Sequence, residues 1–92
     1  MSDAEIAARL LDEVIGYRGV REPIKGMLER AYRSLSTKSK EWTRRRVRSI
    51  FNKEARRIDH REIEEMHAIL RAREEHARYK EETSRIASMA AL

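Results

Sequence analysis

The chain has 92 residues with no cysteine, one proline and three glycines, and its 21 Lys and Arg against 16 Asp and Glu give a formal net charge of +5. That length allows one modest core, and the lack of thiols excludes disulfides and zinc sites built on thiolates. Acidic residues in "MSDAEIAARL" stand where a secretory signal would carry bases, and no apolar run approaches the roughly 20 residues needed to cross a bilayer, so the expectation is a cytoplasmic protein without a membrane partner.

Ala, Arg, Glu, Leu, Met and Lys, all good helix formers, dominate, and no window alternates apolar and polar residues as a strand would. The expected fold class is all-α: a three-helix, helix-turn-helix-like core over residues 1–70, with a long C-terminal fourth helix whose end, 71–92, is a charged extension.

Helix one is expected from Asp3 to Ile15, where Ile6, Leu10 and Val14 repeat at four-residue spacing. Ser2 suits its cap, Asp3 and Glu5 suit the positive end of its dipole, and Gly16 to Gly19 supply its stop. Helix two is expected to begin near Pro23, whose missing amide hydrogen costs nothing in a first turn. Ile24, Met27, Leu28, Ala31 and Leu35 then give its core face. Gly26 within it suggests a close approach by another helix. The next turn is read at Ser36 to Lys38.

Helix three is expected over residues 39–57, capped by Ser39. At about 100° per residue, Val47, Ile50, Phe51, Ala55 and Ile58 fall on one side, while Arg45, Ser49, Asn52, Lys53 and Arg56 fall on the other. Arg45, Ser49, Asn52 and Arg56 recur along one line and are the candidates for reading bases, since arginine forks to guanine, asparagine pairs with adenine and serine is permissive. Lys38, Lys40, Arg44, Arg46, Arg48, Lys53 and Arg57 flank that line as candidates for phosphate contacts. From Arg18 to Arg61 there are 15 bases against 5 acids, whereas the two ends of the chain are net acidic. A charge cluster of this kind attracts polyanions. Trp42, off the apolar stripe, is expected to pack on a neighbouring helix, helix one or Tyr32 of helix two, with a sugar-phosphate contact as the alternative.

At these residues the sequence resembles small helix-turn-helix DNA-binding proteins, in particular short phage or prophage-type proteins of proteobacteria. The resemblance runs from Ile24 to Met66, through "IKGMLERAYRSL", a polar link, "WTRRRVRSIFNKEARRI" and "DHREIEEM". It implies a core whose second motif helix, here helix three, enters the major groove, and a place in the bacterial cytosol or nucleoid. With Ala31 at the motif's small position, Leu35 falls on its glycine and Glu41 on an apolar position. Either the turn is longer here or the helices are arranged differently.

Asp59 with Glu62 forms a capping box, and Ile58 with Ile63 a staple, so helix four starts afresh at His60. It can run toward Ser88, roughly 40 Å. Ile63, Met66 and Leu70 continue the core, which fades there. A second line, Ile69, Ala72, His76, Tyr79 and Ile86, keeps three-four spacing and is the candidate seam of a homodimer.

His60, His67 and His76 lack the i, i+4 spacing of a helical zinc site, and no nucleophile triad or glycine-rich phosphate loop occurs. No metal, cofactor or small-molecule substrate is expected, and no catalytic residue is assigned. The expected function is a non-enzymatic double-stranded-DNA-binding protein, a phage or mobile-element transcriptional regulator. The alternative is a basic helical inhibitor or adaptor that docks an acidic protein surface.

Overall fold

The structure is a computed structural model that describes residues 2–90. Among them the chain forms four helices and no strand: Asp3–Ile15 (α1), Ile24–Ser36 (α2), Arg44–Phe51 (α3) and His60–Ala90 (α4). The first two helices and the start of the fourth fall where local chemistry puts them. Ser2 Oγ accepts the Glu5 amide at 3.3 Å, and Pro23 precedes the first turn of α2. Gly16 ends α1 at φ 68°, ψ −136°, a conformation open essentially to glycine. Gly26, in contrast, faces Glu22 and Pro23 of its own helix lead-in, so the close approach of another helix expected there does not occur.

Helix α1 is the hub and touches α2, α3 and α4. Its Ala7, Leu10, Leu11, Val14 and Ile15 are buried against Met27, Ala31 and Leu35 of α2, Val47 and Ile50 of α3, and Met66 and Ile69 of α4. Each of the larger side chains, once buried, contributes about 1.5–3 kcal/mol of apolar transfer. Ile69 is therefore a core residue, and its assignment to a dimer seam is corrected: the end of α2 already covers it. From Arg71 to Ala90 every residue is exposed. The radius of gyration is 16.1 Å, with extents of 57 × 31 × 28 Å, against about 12 Å expected for a compact chain of this length. The free end of α4 accounts for the difference, and its last tie to the core is Arg73, whose Nη1 donates to Val14 O at 2.6 Å.

Helix α3 is much shorter than the expected 39–57. Ser39 turns the link instead, its Oγ accepting the Glu41 amide, and Thr43 caps the helix by accepting the Arg46 amide at 3.0 Å. At the other end the chain leaves the helix by a Schellman turn. Glu54 N donates to Ser49 O at 2.9 Å and Lys53 N to Ile50 O at 3.1 Å, with Lys53 in the left-handed region at φ 59°. Arg56 and Arg57 thus lie outside α3 and do not extend its line. Ala55 and Ile58 are still drawn inward, because the loop after α3 folds back onto the core. The connection between α2 and α3 runs from Thr37 to Thr43.

One polar cluster seats that loop. The Arg46 guanidinium forks onto Glu62, Nε to Oε2 and Nη2 to Oε1 both at 2.6 Å, and Nη2 also donates to Arg57 O. Glu62 Oε1 accepts the Asp59 amide at 2.9 Å, the carboxylate half of the expected capping box. Glu62 is 1% exposed and is the one charged residue among the buried ones described. Burial works against its charge, but the hydrogen bonds from Arg46 and the Asp59 amide outweigh it and hold the carboxyl below its ordinary value. Next to it, the buried Trp42 donates from Nε1 to Glu65 Oε2 at 2.6 Å. Trp42 is a packing group as expected, but the partners of its indole, Glu65 and Arg61, stand on α4 and not on helix one or at Tyr32.

Both ends of this loop can be tested by substitution. Lys53→Gly relieves a left-handed residue whose strain is about 1–2 kcal/mol and should raise unfolding stability in urea by about 0.5–1 kcal/mol after the added flexibility of the unfolded chain; inside a continuous helix the same change would lower it. A carboxyl whose folded pKa is depressed stabilises above its unfolded value and loses that contribution as the pH falls through the folded value. Glu62→Gln should therefore lower stability at neutral pH by about 3 kcal/mol, the low end for a broken buried pair since Arg46 keeps some contact with water. The gap between variant and parent in thermal melts should close as the pH drops well below 4.5.

Candidate nucleic-acid interface

The arginines of "TRRRVRS" divide by the side of α3 on which they stand. Val47 and Ile50 define the buried side. Arg44 and Arg46 flank it, where long side chains reach the neighbouring helices. Arg44 forks onto Glu29 of α2 at 2.8 and 2.9 Å, with its guanidinium 4.5 Å from the centre of the Tyr32 ring. The hydrogen bond from Arg44 holds the Glu29 carboxyl below its usual range, and the same bond raises the Arg44 guanidinium. Arg46 is bound to Glu62. Both are phosphate candidates by sequence: Arg46 is tied to a buried carboxylate, whereas Arg44, paired with Glu29, keeps its side chain largely exposed.

Arg45 and Arg48 point away from the core. Both are exposed, and neither has a carboxylate within ion-pair distance among the described residues. With Ser49, Asn52 and Glu54 they line a polar concavity of about 480 Å³. Three of the four expected base-reading residues, Arg45, Ser49 and Asn52, are thus brought together. Arg56 is not among them, because the turn at Asn52 and Lys53 ends the helix first. Arg48 also borders a second groove of about 270 Å³ between α2 and α3, with Lys25, Leu28, Glu29 and Arg44.

The other expected phosphate contacts are scattered. Lys53 lines a groove with Glu5, Arg9 and Asp12 of α1, and Lys38 lines one between the end of α2 and α4. Lys40 and Arg56 are exposed without an ion-pair partner among the described residues, and Arg57 lies 3.8 Å from Asp59. Lys25 and Glu54 join the basic face although no sequence signal singles them out. Lys25 stands one turn before Glu29 on α2, a spacing that shares a helix face, but it becomes relevant only once Arg44 is known to meet Glu29.

The arrangement offers two forked donors, a hydroxyl, an amide and one acceptor around a single hollow. It suits recognition of a polyanion with hydrogen-bonding edges. Among the described residues no group of three His, Asp or Glu is placed to hold a metal ion, and no helix is long and apolar enough to cross a membrane. No protein-family model, no curated protein and no solved structure matches the chain.

Proposed function

We propose that this protein binds double-stranded DNA without catalysing a reaction, as a regulator of the kind carried by phages and mobile elements, and that it does so as a homodimer. The observation that carries the reading is that Arg45 and Arg48, unpaired among the described residues, share one hollow with Ser49 and Asn52 on the outer side of a helix anchored on both flanks. A major groove admits such a helix, and its base edges match these side chains: arginine for guanine, asparagine for adenine, a carboxylate for the cytosine amine. In this reading Arg45, Ser49 and Asn52 meet base edges, while Arg48 and Lys25 meet phosphates. Glu54 repels a backbone that settles in the wrong register, which adds selectivity through an unfavourable contact.

Gel-shift titrations over a salt series test the reading. Log affinity should fall linearly with log salt, by about 0.9 per phosphate neutralised. Arg48→Ala should reduce that slope by about one, whereas Arg45→Ala and Asn52→Ala should cost about 1–3 kcal/mol on a preferred site and relax the preference. Arg44→Ala should leave the slope alone and lower thermal stability, since its partner is Glu29. Absence of binding to any duplex at low salt would transfer the basic face to an acidic protein partner.

A further inference from the structure

The free part of α4 carries charge in an order that its own ion pairs reveal. With the seam positions in heptad register, His76, Thr83 and Ala90 occupy a, and Tyr79 and Ile86 occupy d. Tyr79 and Ile86 are each 67% exposed, as is Met89 beside them. The two intrahelical ion pairs of this segment, Arg78 with Glu74 at 2.8 Å and Arg85 with Glu81 at 3.8 Å, lie on the outer c and f positions, away from the seam. Glu75 and Glu82 at g and Lys80 at e flank the seam, and none of the three has an ion-pair partner among the described residues. The outer charges are satisfied within one helix, and the inner ones are left for another.

We propose that residues 76–90 of α4 pair in parallel with the same segment of a second copy, with Glu75 of each chain meeting Lys80 of the other. This deepens the homodimer proposed above and does not rest on DNA binding. Orientation follows from charge. In a parallel pair each g residue faces the e residue five positions on in the partner helix, which sets Glu75 against Lys80 twice. In an antiparallel pair g faces g and e faces e, so Glu82 would meet Glu82 and Lys80 would meet Lys80. The seam begins at His76 rather than at Ile69 because the end of α2, with Ser34 and Thr37, stands beside Ile69 and Ala72. Below His76 the two helices diverge around those ends, and a parallel pair carries both helical cores at the same end of the assembly.

The test uses the full chain, which holds no cysteine of its own. Sedimentation equilibrium should show a monomer–dimer equilibrium. Lys80→Glu and Glu75→Lys should each weaken it by about tenfold, and the double exchange should restore it, as expected when each repelling pair occurs twice. Ile86→Cys should form a disulfide-linked dimer on mild oxidation, because d faces d only in the parallel register. Three results would each overturn the proposal: a chain that stays monomeric at hundreds of micromolar, a double exchange without rescue, or an Ile86→Cys chain that cross-links only to a chain carrying His76→Cys. Each of these results removes the pairing of α4 and leaves a salt-dependent gel shift as a separate readout, so self-pairing and DNA binding fail separately.

Discussion

The fork between Arg46 and Glu62 is the constraint on which the shape of the candidate interface depends. It joins α3 and α4 directly, where their backbones make no close approach of their own and the two helices otherwise share only their packing on α1 and the common core. Glu62 could not remain charged at 1% exposure without donors, and it receives three: the Arg46 fork and the Asp59 amide. The same guanidinium holds Arg57 O. One residue pair thus ties the loop after α3 to the first turn of α4, while the buried Val47 and Ile50 seat α3 on the core.

The pair also explains why so basic a helix tolerates its own repulsion. Like charges at i, i+4 destabilise a helix by roughly 0.2–0.5 kcal/mol. Two of the four arginines in Arg44–Phe51 are neutralised by acids from α2 and α4. What remains for a partner is concentrated in Arg45 and Arg48, which no acid of the described residues offsets. The sorting is positional: residues beside the apolar stripe reach neighbouring helices, and residues opposite it cannot.

Much of this is legible in the sequence, and the failures have one cause. The bounds of α1, the cap at Ser2, the stop at Gly16, the staple and box before His60 and the fading of the core at Leu70 are each written in local residue chemistry. The end of α3 is not. Asn52, Lys53, Glu54 and Ala55 contain neither glycine nor proline, and the apolar spacing through Ala55 and Ile58 mimics a helix that continues. The fold overrides that propensity: the chain turns where Lys53 takes a left-handed conformation that composition does not announce, and the turned loop is held by Arg46 on Arg57 O and Glu62. The partners of Arg44 and Arg46 are hidden for the same reason: Glu29 and Glu62 lie 15 and 16 residues away in sequence, and only the packing of three helices brings them together. Trp42 is legible as a packing group because an indole offers large apolar area with a single donor to satisfy.

Whether a nucleic acid sits on the face of α3 opposite the core can be read residue by residue from amide and side-chain NMR spectra of the isotope-labelled chain, recorded while duplex DNA is added. The resonances of Arg45, Arg48, Ser49 and the Asn52 side-chain amide should move together, while the Trp42 indole and the Arg46 guanidinium hold their positions. Perturbations confined to α1 or to the free end of α4, with that face unmoved at saturating duplex, would contradict the assignment.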